Sequence, residues 1–429
     1  MTNISKTNKS RVVITGIGMI TPLGRNCSET WNAITQGEIG ISEITRFHTT
    51  DFDVRFAAEI PENFLHGGIS DSEVQKLTPS SQIFAKTLKG KLTHQAFQEA
   101  WSQSGWSHIE SEILSTKKIG ISIGSEATRP SLHDLAKMNQ QPSLVELESL
   151  RPEAPTVFLA EVIGQEKIHN LRTVSTACTS SSQACGEGMK CIERGICDIM
   201  VVGGVDILVD PIMVTGFSKL GALSTRNDEP QRASRPFDLE RDGFVLGEGA
   251  GFLILEREEL AIQRGATILG MFSGYGCSCN AYRVTDSPPD GRGAMQSMNE
   301  ALIDAGISSE QVGYINAHGT STSMNDSSET NGIKRCFGES WKDVYVSSTK
   351  SMMGHLVAAC GSVEAIISLL SVMNGVVPPT ANLDNVDPEC DLRHVPYKPI
   401  QAEITHAMTN AFGFGGSNGT LIISKWTPN

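Results

Sequence analysis

The chain has 429 residues, 39% hydrophobic and 19% charged, with a formal net charge of −13. That length and apolar content suit a globular protein with a sizeable core, built as one large α/β unit or as two to three average domains. The negative balance argues against nucleic acid as a general partner, and no run approaching the roughly 18 apolar residues of a membrane helix stands out.

Residues 1–10 are polar and lack an apolar stretch of signal-peptide length. A β-branched run at residues 12–15 predicts the first strand. A later β-branched run ends at Thr173-Val174 and meets a turn of small residues, Ser175-Thr176-Ala177-Cys178-Thr179-Ser180-Ser181-Ser182, ahead of a helix. A cysteine on a strand-to-helix turn receives the positive end of the helix dipole and free backbone N–H groups. Both favour the thiolate, so Cys178 is the candidate nucleophile. The helix after it carries Ala184, Cys185, Gly186, Gly188 and Met189. Small residues on more than one face fit a helix lying between two sheets.

Helical periodicity returns at residues 294–305, followed by apolar strand patterns at 312–315 and 344–346. Each strand runs into a histidine motif: Asn316-Ala317-His318-Gly319-Thr320-Ser321-Thr322, and Ser348-Thr349-Lys350-Ser351-Met352-Met353-Gly354-His355. Loops at strand ends are where α/β proteins carry their chemistry. With Cys178, His318 and His355 make a nucleophile-and-base set. The glycine-rich residues 413–419 allow close backbone approach and suit a loop lining a site.

Ten cysteines are scattered without a CxxC pair. Cys277 and Cys279 have no second ligand pair, and Cys185, Cys191 and Cys197 read as small core residues. Neither a disulfide framework nor a metal site is expected, and the expected compartment is a reducing, cytoplasmic one.

A faint internal repeat is visible. Thr173-Val174-Ser175-Thr176-Ala177-Cys178 aligns with Tyr345-Val346-Ser347-Ser348-Thr349-Lys350, and residues 247–255 align with 415–423. These near-equal spacings predict two duplicated α/β halves, residues 11–264 with Cys178 and residues 265–429 with His318, Lys350 and His355.

On these motifs, with Phe412-Gly413-Phe414-Gly415-Gly416-Ser417-Asn418, Ser234-Arg235-Pro236-Phe237-Asp238 and Asp242-Gly243-Phe244-Val245-Leu246-Gly247-Glu248-Gly249, the chain resembles the β-ketoacyl-acyl carrier protein synthases of the elongating, Cys-His-His class. The resemblance runs from about Arg11 to Ser424. It implies a thiolase-like α/β fold whose two halves build five layers, αβαβα. It also implies a decarboxylative Claisen condensation of an acyl group held on Cys178 with malonyl-acyl carrier protein, in fatty-acid or polyketide-type elongation. The N–H groups of Cys178 and Phe414 would hold oxyanions, and His318 and His355 the enolate. Lys350 paired with Glu364 would support the second histidine, and Asp326 and Glu329 would organise the network. Phe414 would gate the acyl chain. No cofactor is implied beyond the phosphopantetheine that arrives on the carrier. The resemblance further implies an acyl carrier protein as partner and a homodimer, or a heterodimer with a related subunit, with no nucleic acid or membrane.

Some residues depart from that pattern. A glycine-rich stretch near the end of the acyl pocket is replaced by Gly124-Ser125-Glu126-Ala127-Thr128-Arg129-Pro130. Glu126 is therefore expected in the pocket, disfavouring long saturated chains unless it is paired, for instance with Arg129. Carrier-binding cations are thinned: residues 78–82 read Thr-Pro-Ser-Ser-Gln and Gly221 stands where an arginine is expected, which leaves Lys219 and Arg226 as candidates. A thiolase would need a C-terminal cysteine where Gly415-Gly416-Ser417-Asn418 stands, and initiating synthases use Cys-His-Asn. A chain-length-factor-like partner subunit, which usually lacks the nucleophile, is the remaining alternative.

Overall fold

The computed structural model describes residues 10–65, 68–129 and 143–428; Pro130 lies outside them. In the first half the strands of the main sheet are β1 (Val12–Ile20), β2 (Ile119–Gly124), β3 (Ile168–Val174), β4 (Ile199–Asp206) and β5 (Gly249–Arg257). The second half contributes β6 (Gly270–Cys279), β7 (Val312–Asn316), β8 (Tyr345–Ser347), β9 (His406–Phe412) and β10 (Ser417–Ser424). β1 and β4 are buried along their whole length, which is why they read as near-continuous apolar runs instead of alternating ones.

The strand order is β8-β7-β9-β10-β6-β1-β5-β4-β2-β3. Reading outward from the centre, each half repeats one topology. β5 is antiparallel to β1 and to β4, while β2 runs parallel to β4 and β3. β10 is likewise antiparallel to β6 and to β9, while β7 runs parallel to β9 and β8. The halves join edge to edge through two residue pairs, Val13 with Met271 and Ile14 with Gly270.

The principal helices are α1 (Leu88–Gln103), α2 (Ala154–Ile163), α3 (Ser180–Glu193), α4 (Pro211–Lys219), α5 (Arg292–Ala305), α6 (Ser323–Phe337) and α7 (Cys360–Asn374). α1 and α2 cover the outer face of the first half, and α5, with α6 against it, that of the second. α3 and α7 touch each other and strands of both halves, forming the middle layer of the five-layered thiolase-like α/β architecture. The small residues of α3 have a physical reason. A Cβ on Gly186 would lie 2.2 Å from the Tyr275 ring of β6, and one on Gly188 2.2 Å from Val202 of β4. The helix is pressed between two sheets, and larger side chains have no room.

Two sequence readings need correction. Residues 173–174 and 345–346 do lie on equivalent strands, but the turns after them are not equivalent. The counterpart of the 3-10 turn Ala177–Thr179 before α3 is Val357–Ala359 before α7. A short helix, Lys350–Met353, and the His355 loop are inserted between β8 and that turn. Lys350 therefore has no counterpart at Cys178. Also, Val357–Asn374 is long and apolar enough to cross a membrane, with a mean hydropathy of 1.6. Serines and Glu364 interrupt its apolar run, and 83% of it is buried.

Candidate active site

Three strand ends deliver the reactive groups. β3 leads into the turn carrying Cys178, where Ala177 is held at φ +53°, a left-handed conformation that non-glycine residues seldom adopt. β7 delivers His318 two residues beyond its end, and β8, through the short Lys350–Met353 helix, delivers His355. The fold gathers these distant segments tightly. The Cys178 sulfur and a ring nitrogen of each histidine lie within 4.8 Å of one another, and all three residues are buried. His355 Nε2 is 3.0 Å from Cys178 Sγ, and the two imidazoles meet edge to face at 5.2 Å. Phe244 packs on His355 at 5.4 Å and Phe412 on His318 at 5.6 Å, fixing both rings with apolar neighbours.

Burial raises the Cys178 thiol to about 12, against the pull of the Lys350 ammonium and of the Phe414 and Cys178 N–H groups. The expectation that the helix terminus alone would favour the thiolate is thus corrected: desolvation wins in the resting site. Both histidines are held well below the ordinary value, first by burial and then by the Lys350 charge, with His355 adding to the effect on His318. They are neutral at pH 7. Nδ1 of each ring has no partner among the described residues, so neither ring is locked into one tautomer.

Lys350 is fully buried and ion-paired with Glu364. Burial alone would lower its pKa, but Glu364 outweighs that and the net shift is upward. Burial lifts Glu364 to about 7 against the pull of the ammonium. The cysteine and two imidazoles match zinc in donor type, yet the adjacent ammonium opposes a second cation there.

Glu329 holds the His318 loop through its backbone. Oε1 accepts the His318 N–H at 2.9 Å and the Asn410 amide at 3.1 Å, and Oε2 the Gly319 N–H at 2.8 Å. Asp326 also meets the His318 loop through the backbone N–H of Ser321. Its Oδ2 accepts the Phe237 N–H at 2.8 Å and faces Arg241 at 3.8 Å, tying down the neighbouring loop without touching either imidazole.

Cys178, His318, His355 and Phe414 line a cavity of about 230 Å³ whose rim includes the exposed Leu220 and Met324. Lys219 flanks that rim at the end of α4, exposed and 3.1 Å from Asp53. Arg226 is half-buried and donates to the Glu240 carbonyl at 3.2 Å. Glu126 is paired, though not with Arg129. Among the described residues it does not line this cavity. Its carboxylate accepts the Ala177 N–H at 2.9 Å and the Ser175 hydroxyl at 2.8 Å, so it braces the nucleophile turn and is not unpaired. Arg129 donates instead to the Ala127 carbonyl.

A family model described as the β-ketoacyl synthase N-terminal domain matches residues 9–261, and the corresponding C-terminal domain model matches residues 269–384. This chain belongs to the β-ketoacyl synthase family. Curated relatives named 3-oxoacyl-[acyl-carrier-protein] synthase 2 include one from Vibrio cholerae, 40% identical over 97% of this chain and 100% of the relative. Another, from Synechocystis, is 38% identical over 97% and 99%. Among solved structures, a β-ketoacyl synthase from Burkholderia phymatum superposes with a TM-score of 0.83 at 30% identity, covering 97% of this chain and all of that one. A type II polyketide ketosynthase solved with its acyl-carrier protein also gives 0.83 at 30% identity, over 98% and 100%.

The synthase cavity is lined by further residues that the motifs do not single out. Phe217, Phe244 and Phe412 form the cavity's apolar wall, and Thr320 and Thr322 offer hydroxyls 3.0 Å apart. Phe244, Phe412, Thr320 and Thr322 lie inside the conspicuous motifs of the chain, whereas Phe217 does not. Lys89, buried against Asp206 and the Glu126 carbonyl, carries no local sequence signal at all.

Proposed function

We propose that this synthase joins an acyl thioester to a malonyl thioester by decarboxylative Claisen condensation, both delivered on the phosphopantetheine arm of an acyl carrier protein. The observation that carries the reading is the 3.0 Å contact of His355 with Cys178 inside a buried triad completed by His318. His355 Nε2 takes the thiol proton as sulfur attacks the acyl carbonyl. The carbonyl–sulfur bond of the donor breaks, and its thiol leaves with that proton. The N–H groups of Cys178 and Phe414 hold the intermediate's oxyanion, each such donor contributing about 2.7–4 kcal/mol in comparable sites.

In the second half-reaction the bond from the malonyl Cα to its carboxylate breaks and CO2 departs. The electron pair left behind forms an enolate, whose oxygen receives Nε2–H donors from His318 and from His355, which takes up its other tautomer once the first half-reaction has left Nε2 bare. A cationic imidazole would give up its proton to the enolate and quench the carbanion; neutral rings stabilise it and leave the carbon nucleophilic. That carbon attacks the acyl group on Cys178, the bond to sulfur breaks, and the departing Cys178 thiolate takes a proton from solvent water to restore the thiol. Thr320 and Thr322, whose hydroxyls lie in the cavity lining, would meet the amides of the incoming arm, and Phe414 would gate the acyl chain. Lys219 and Arg226 are the proposed carrier contacts, with Lys219 released from Asp53.

The expected test outcome is a Cys178 acyl-enzyme, seen by intact mass with acyl-carrier thioesters, and none in Cys178→Ala. A full-strength acyl-enzyme in Cys178→Ala overturns the assignment. The presence of Cys178, His318, Lys350 and His355 together favours an active subunit over a chain-length-factor-like one. Self-association is supported by β3, a sheet edge with Leu171 exposed and no partner strand on its outer side among the described residues. The same edge would serve a related subunit, an arrangement suggested by the ishigamide ketosynthase/chain length factor, which matches at TM-score 0.84 and 29% identity. A cytoplasmic setting follows for an enzyme fed by such carriers.

A further inference from the structure

The nucleophile turn is strained, and strain at a functional site persists only where surrounding contacts over-determine it. Ala177, at φ +53°, precedes Cys178 directly. Local bonds hold it in part, Ser180 Oγ donating to the Ala177 carbonyl at 2.7 Å and Thr179 Oγ1 to the Thr176 carbonyl at 2.8 Å, and a distant carboxylate adds to them. Glu126, two residues beyond the end of β2, accepts the Ala177 N–H at 2.9 Å through Oε1. The same oxygen lies 3.2 Å from Ser180 Oγ, which itself accepts the Thr176 N–H at 2.9 Å. Glu126 Oε2 accepts the Ser175 hydroxyl at 2.8 Å. One carboxylate therefore binds residues on both sides of the strained peptide.

Glu126 is itself fixed from below. Its carbonyl accepts Lys89 Nζ at 2.6 Å, and that ammonium, fully buried, faces Asp206 at 3.8 Å. Asp206 Oδ2 in turn accepts the Ala358 N–H at 3.2 Å. Ala358 is the counterpart of Cys178 in the other half, and it follows Val357 at φ +42°. The two strained turns at the entrances to α3 and α7 thus each receive a carboxylate on a backbone N–H, with Lys89 between the acids.

We propose that Glu126 is a positioning residue for Cys178: it clamps residues 175–180 and thereby sets the Cys178 sulfur and N–H against His355 and Phe414. The inference rests on Cys178 being the nucleophile, as in the proposed function. Glu126 touches no reacting atom. A hydrogen bond to a charged group is worth about 1.5–3 kcal/mol, so loosening the turn is expected to slow the reaction of Cys178 about tenfold to a hundredfold.

The test compares the full-length native chain with Glu126→Ala and Glu126→Gln. Alkylation by iodoacetamide is mapped cysteine by cysteine by mass spectrometry. In parallel, kcat and KM are measured with a matched pair of acyl- and malonyl-carrier thioesters. Expected for Glu126→Ala is a loss of about tenfold or more in both Cys178 alkylation and kcat, with KM little changed. Glu126→Gln keeps an oxygen for the Ala177 N–H and an amide beside Ser175, so it restores most of the rate. The exposed Cys277 and buried Cys185 serve as internal controls and keep native reactivity in both variants. Native rates in Glu126→Ala overturn the proposal. So does an equal loss in both variants, or one accompanied by a newly reactive Cys185, since Glu126 would then be holding the fold and not the nucleophile. Alkylation needs no acyl donor. If the native protein alkylates at Cys178 but accepts no thioester, the proposed function fails while the Glu126 comparison still stands or falls on its own.

Discussion

Replacing Lys350 with Met removes one partner of a fully buried ion pair and leaves Glu364 facing an apolar side chain. Breaking such a pair from one side costs about 3–5 kcal/mol, whereas replacing both partners with apolar residues of similar volume is often neutral. For 429 residues, an unfolding entropy of about 2.1 cal/mol/K per residue gives about 0.9 kcal/mol/K. Lys350→Met is therefore expected to lower the melting temperature by about 3–6 °C, and Lys350→Met/Glu364→Met by much less. The pH dependence identifies the cause. Burial already holds Glu364 at about 7 with the lysine present, and removing the ammonium raises it further. The folded form then keeps its proton over a range where the unfolded form, titrating near 4.5, has lost it. Stability contributed by that proton is present below pH 4.5 and lost as pH rises through the folded value. The Lys350→Met penalty is accordingly larger at pH 8 than at pH 6. Differential scanning calorimetry at the two pH values measures it. A double variant as unstable as the sum of the two single changes, or a penalty independent of pH, would refute the reasoning.

Two further outcomes follow from the site and from the middle layer. His318 is pushed well below 6.5, chiefly by burial and then by Lys350 and His355. The unfolded chain therefore binds a proton below pH 6.5 that the folded chain does not, and the stability due to neutral His318 is lost as pH falls. His318→Gln removes this loss, so its stability relative to the native protein should improve by about 1.4 kcal/mol per pH unit below 6.5; parallel stability curves from pH 7 to 5 would show that the ring is not held neutral. In the middle layer, Gly186→Val places a branched side chain where even a Cβ lies 2.2 Å from the Tyr275 ring. A destabilisation of about 1–3 kcal/mol or more is expected in denaturant melts, while Gly195→Ala, whose added Cβ meets nothing within 4 Å, tests only the local backbone conformation.

Much of this protein is legible in the chain because its chemistry sits in short contiguous motifs. A cysteine on a small-residue turn, two histidines beside glycines, and a Lys350 fourteen residues before Glu364 are local patterns, and local patterns survive in sequence. The duplicated halves were visible for the same reason, since residues 247–255 and 415–423 each write one strand, β5 and β10. The repeat alignment failed at Lys350 because an inserted helix changes spacing without changing residue type.

The sequence by itself determined which residues could react and that helix α3 had to be thin. It did not determine the protonation of those residues or the partners of Glu126. Whether a thiol sits low or high depends on how completely the fold dries it, and burial of Cys178 outweighs the N–H groups and Lys350 that the motifs brought near. Glu126 reads as a carboxylate misplaced in a pocket until β2 and the nucleophile turn are packed together. Its donors, on Ser175 and Ala177, lie about fifty residues away along the chain and within 3 Å in space. Contacts of that kind belong to the closure of the sheet around α3 and α7, and only the tertiary structure sets them.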